Sequence, residues 1–123
     1  MTEMELINLW NDKRKQLISA QLHSTITIAV ITVLAVMGYF ESATDFAKLF
    51  ALLFLGTIGA LGILNQFAII RESSTLVDDL KKQSSLSATG EAIAASKQYL
   101  NLTRIMMIGF SVALLFGFAL VVL

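Results

Sequence analysis

The sequence predicts an all-α integral membrane protein. Three transmembrane helices carry helical extensions on the cytoplasmic side, namely an N-terminal helix and a helical hairpin over 71–104. Three observations support this. Of 123 residues 56% are hydrophobic and 15% charged, with a mean hydropathy of +0.75; a soluble domain is about 45–50% apolar and about 25% charged. Three uninterrupted stretches reach the roughly 20 apolar residues that a hydrocarbon core of about 30 Å requires of a helix. Proline is absent, and every glycine except Gly90 lies in or beside one of those stretches.

Residues 1–21 read as a helix. Thr2 and Glu5 have capping-box spacing, and Leu6, Leu9, Trp10 and Leu17 form an apolar stripe that Lys13 interrupts. Such a helix either lies on the membrane surface with Trp10 among the headgroups or continues straight into the first span. The lack of Gly or Pro before Gly38 favours the continuous helix. The first span is Leu22–Phe40. It exceeds the 7–15 apolar residues of a signal peptide and follows a long region of mixed charge, so it is expected to be retained.

A short outer loop, 41–45, leads to the second span, 46–70, where only Lys48 is charged and snorkels outward. Ile69, Leu76 and Leu80, with Ile70 and Val77 beside them, carry the apolar stripe beyond this span. The run from Ser84 to Gly90 is the one strong breaker cluster. Ser87 or Thr89 then caps a following helix, with Glu91 in its first turn. Ile93, Ser96, Leu100 and Thr103 lead into the third span, 105–123, which has no charge. The whole chain reads as one membrane domain, and the residues outside the spans are expected to build no soluble core.

Of the nine basic residues, only Lys48 borders the short loop. The positive-inside rule therefore puts the N-terminus and the 71–104 hairpin in the cytoplasm and the C-terminus outside, with a bacterial inner membrane as the expected location. Tyr39 and Phe40 anchor the outer interface and Tyr99 the inner one.

Charge and composition exclude several functions. Zero net charge removes the electrostatic case for nucleic acid. With no cysteine there is no thiolate nucleophile and no Cys-based metal site. No acid or base lies in mid-bilayer, which argues against proton relays and ion coupling, and no proline breaks a span as in secondary transporters. His23 lacks a second ligand at metal spacing. Asp78 and Asp79 point about 100° apart on a helix and are expected to neutralise Lys81 and Lys82. Ser84, Ser85 and Ser87 have no base and belong to a turn. No catalytic residue, cofactor, metal or small-molecule substrate is indicated.

What is organised is the placement of small residues. Gly109, Ala113 and Gly117 recur every four residues in the third span, a ridge that lets helices approach closely. Gly56, Gly59 and Gly62 recur every three in the second, with Ala60 four after Gly56, so this stripe winds by about 60° per glycine. The two ridges pack the three helices together or receive a second copy or another membrane protein. Among the polar residues of the spans, Thr25, Thr32 and Asn65 are the ones that would line a pore. The favoured alternative has the hydroxyls bonded to their own helix and Asn65 to a neighbouring one. Together these features predict a small polytopic inner-membrane protein acting through helix contacts, as a homo-oligomer or as an accessory or regulatory subunit. A homo-oligomeric pore or membrane-permeabilising effector of the lysis or defence type is the alternative.

Overall fold

A computed structural model describes all residues, 1–123, as four helices without strands: α1 (Glu3–Val36), α2 (Asp45–Lys81), α3 (Ala88–Ala94) and α4 (Lys97–Val122). α1, α2 and α4 are each long and apolar enough to cross a membrane. α1 starts at the expected capping box: the Glu5 N–H donates to Thr2 Oγ1 (3.3 Å) and the Thr2 N–H donates to Glu5 Oε2 (2.8 Å). With no breaker after it, the N-terminal segment runs into the first apolar stretch as one helix of 34 residues, about 50 Å long.

α1 ends at Val36, before the expected boundary at Phe40. Gly38 adopts φ +79°, the left-handed conformation open to a residue without Cβ. The Tyr39 N–H then bonds to the Leu34 carbonyl and the Gly38 N–H to that of Ala35, each at 3.1 Å. This pattern closes a helix end. The connection is therefore 37–44 rather than 41–45. Thr44 caps α2 by accepting from the Ala47 N–H (3.2 Å), with Asp45 in the first turn.

α2 is unbroken for 37 residues. Ser87 caps α3, accepting from the Gly90 N–H (3.1 Å), and Glu91 sits in the first turn as expected. One break was not legible. The stretch after the cap, read as a single helical leg, bends at Ala95–Ser96, where the Ser96 N–H bonds to Ile93 O (3.0 Å) and its Oγ to Ala92 O (3.0 Å). The bend lets Ile93 and Ala94 of α3 and Leu100 of α4 enter the same core.

That core corrects the expectation that the extensions would have none. Leu6, Trp10, Leu76, Val77, Leu80, Ile93, Ala94 and Leu100, all outside the expected spans, cluster with Ile70. Leu6, Ile70, Val77 and Leu80 are almost completely sequestered, and each such side chain contributes about 1.5–3 kcal/mol. α2 is the spine: it contacts every other helix, whereas α1 and α4 meet only sparsely. Along the membrane-length stretches large side chains such as Phe46, Phe50, Phe116 and Leu120 point outward. At the far end Phe40 and Phe118 meet edge to face, with centroids 5.5 Å apart.

Replacing Leu80, which is fully buried, with Ala is expected to cost about 2–5 kcal/mol. Hydrogen exchange should then accelerate across 1–17 and 70–100 while amides of the apolar stretches stay slow. Uniform acceleration along the chain would show that the cluster is not a separate core.

Candidate functional site

The two small-residue ridges have different surroundings. On α2, Gly62 marks the close approach of α1: a Cβ built there would lie 2.8 Å from Ser24 Oγ. Ser24 is the exception among the serine and threonine hydroxyls of the first apolar stretch. Thr25, Thr27 and Thr32 donate to the carbonyls of Gln21 (2.8 Å), His23 (3.2 Å) and Ile28 (2.7 Å) on their own helix. One turn beyond Gly62, Gln66 is buried at 6% exposure, and its Oε1 has no partner.

Gly56 and Gly59 meet open space, with no atom within 4 Å of a built Cβ. Together with Ala60 they line a cleft of about 240 Å³ on α2, walled by Ser24, Ile28, Ile31 and Thr32 of α1 and by Ser111, Leu114, Leu115 and Phe118 of α4. At this level α2 carries glycine between α1 and α4; the extension core holds all three helices together above it, and the Phe40–Phe118 contact closes the far end. The winding stripe thus divides its work. Gly62 brings two helices together, and Gly56 and Gly59 leave room.

The third-span ridge is different again. At about 100° per residue, Gly109, Ala113 and Gly117 centre roughly 140° from the inward face that holds Leu100, Met107, Ser111 and Phe118. Gly109 and Gly117 have no atom within 4 Å of a built Cβ. No helix of the chain covers this ridge.

The residues considered for a pore are not brought together. Thr32 lines the cleft. Asn65 instead opens into a separate polar groove between α1 and α2, beside Lys15, Gln16, Ser19 and Glu72. It is exposed there rather than bonded to a neighbouring helix.

The ionic contacts differ from local expectation. Lys97 Nζ donates to both Asp78 carboxylate oxygens (3.0 and 3.2 Å), joining α4 to α2. Only Asp79 approaches a lysine of its own helix, Lys82 at 4.0 Å. Lys13 Nζ donates to Glu72 Oε2, so the residue that interrupts the N-terminal stripe joins α1 to α2. Arg104 lies over the Phe67 ring, 5.7 Å from its centroid. Glu3, in the first turn of α1, accepts from the Ser87 N–H (2.8 Å) and Ser87 Oγ (2.6 Å). It packs against Gly90, where a Cβ would collide with it. Its partner is 84 residues away, so no local signal exists.

His23 is exposed, and no three His, Cys, Asp or Glu side chains converge. Compared with models of known families, with curated proteins and with solved structures, the chain matches none.

The hydrogen bond from Lys13 holds the Glu72 carboxyl below its ordinary 4.5, and that from Lys97 holds Asp78 below 3.8, with Lys81 and Lys82 adding attraction. A depressed carboxyl stabilises the fold above its unfolded pKa and loses that contribution as pH falls through the folded one. The denaturation midpoint is therefore expected to hold steady near neutrality and to fall below about pH 4. Glu72→Gln with Asp78→Asn should flatten that acid limb; an unaltered limb would remove these two pairs as its cause.

Proposed function

We propose that the chain is a three-span membrane protein that works through helix contacts, as a homo-oligomer or as an accessory or regulatory subunit of a larger membrane complex. The observation that carries this reading is the outward ridge of Gly109, Ala113 and Gly117. A helix backbone can come close at such a ridge, and the chain has no helix of its own there. The long apolar surfaces of α1, α2 and α4 suit hydrocarbon rather than water. The distribution of basic residues favours the N-terminus and the α2–α3–α4 turn on the cytoplasmic side of a bacterial inner membrane, with the 37–44 connection and the C-terminus outside.

The core formed by the extensions gives this unit a folded face on the same side, one that a partner would meet as a rigid surface. The pore reading draws less support. The Thr25 and Thr32 hydroxyls bond to their own backbone, Asn65 stands apart from them, and no ring of charge is present along the apolar stretches.

Gly109→Leu combined with Gly117→Leu places bulk where nothing in the chain is met. Helicity should be unchanged, while the native mass in lipid nanodiscs should drop to that of a single chain, or a co-purifying membrane partner should be lost. An assembly of unchanged mass and composition in the double variant would defeat the reading.

A further inference from the structure

The apolar cleft and a second hollow lie in line on the molecule, with no lining residue in common. α1 and α4 stand apart over α2, and the second hollow, of about 170 Å³, opens between the same faces nearer the folded extensions. On α1, Arg14 and Leu17 of the upper hollow and Ser24, Ile28 and Ile31 of the cleft fall within about 100° of one another at 100° per residue. On α4, Thr103 of the upper hollow and Leu114 and Phe118 of the cleft likewise share a face.

The chemistry changes from one hollow to the other. The upper mouth has the Arg14 guanidinium and Tyr99. Lys13 beside it is already held by Glu72, but Arg14 enters no ion pair. The lower part has no charged residue, and its glycine floor leaves open space. From Ser24 to Thr32 it runs about 12 Å. An opening of about 240 Å³ over that length is a slot of chain width, too narrow for a partner helix about 10 Å across.

We infer that the two hollows act as one groove that binds one anionic phospholipid of the leaflet on the basic side, with its phosphate at Arg14 and one acyl chain in the slot over Gly56 and Gly59. The polarity of the groove matches that of the amphiphile end for end. An arginine fork pairs two phosphate oxygens, and its long stem reaches toward the bilayer and shortens the roughly 15 Å between Arg14 and Ser24. Ser24, whose hydroxyl is not bonded to its own helix, stands at the top of the slot as a donor at the depth of an ester carbonyl. Filling the slot with hydrocarbon replaces contacts that an empty cavity would forgo.

This inference rests on insertion of the chain in a bilayer, which sedimentation with vesicles tests separately. The full chain, purified in mild detergent, is examined by native mass spectrometry with dioleoylphosphatidylglycerol, dioleoylphosphatidylcholine or inorganic phosphate added. We expect one phosphatidylglycerol retained per chain, with phosphatidylcholine held about fivefold less well, the factor equal to about 1 kcal/mol for one basic residue at a membrane surface. Arg14→Gln should bring the two lipids level. Gly59→Leu should abolish retention of both, and so should Gly56→Leu, each with helicity unchanged. Gly109→Leu, on the opposite face, should retain lipid as the parent chain does.

A chain that sediments with vesicles yet retains no lipid would overturn the inference and leave the membrane reading standing. Undiminished retention in both slot-filling variants would overturn it as well, and so would a site saturated by inorganic phosphate alone. A chain that stays in the supernatant would overturn both readings.

Discussion

The rest of the molecule depends on one unbroken apolar face of α2. Ile70, Val77 and Leu80 on that face are completely buried, and α1, α3 and α4 all reach the core through it. Nothing between Gly62 and Lys81 interrupts the helix, so the face holds a straight line well past the last residue of the expected second span. Leu6 and Trp10 close one side of it, and Ile93, Ala94 and Leu100 close the other. Ion pairs from Lys13 and Lys97 then fix α1 and α4 against α2 around this core. In the apolar half, α2 presents glycine, α1 and α4 lose their common neighbour, and a cleft forms until Phe40 and Phe118 close the far end.

Much of this was legible in the chain because its signals are local. The capping box of Thr2 and Glu5, the Ser87 cap and the missing breaker between the N-terminal segment and the first apolar stretch each concern a few neighbouring residues, and each appears in the structure. The end of α1 lies four residues before the expected boundary because Tyr39 and Phe40 are as apolar as the helix before them. Only the left-handed Gly38 marks the boundary. The core of the extensions has no local signal because each helix contributes only a few of its residues, and these become a core only when four helices meet.

The same limit applies to the contacts. Local spacing pairs Asp78 with Lys81 or Lys82, yet the tertiary partner Lys97 takes it. Helical periodicity shows that Gly109, Ala113 and Gly117 share a face, but not which way that face looks; that needs the position of α2. Asn65 and Thr32 are candidates for one path by composition, yet they line separate hollows. On this account the small residues have three separate roles: close approach at Gly62, an inward slot at Gly56 and Gly59, and an outward ridge on α4.

The central claim is that α1, α2 and α4 cross a bilayer with the folded extensions on one side. The chain has no cysteine, so single cysteines can be placed at Ser42, in the 37–44 connection, and at Ser85, in the exposed turn before α3. Labelling with a membrane-impermeant maleimide in sealed vesicles of known orientation reads their sides directly. The account expects Ser42→Cys to react from one side and Ser85→Cys only from the other. Reaction of both from the same side would contradict it.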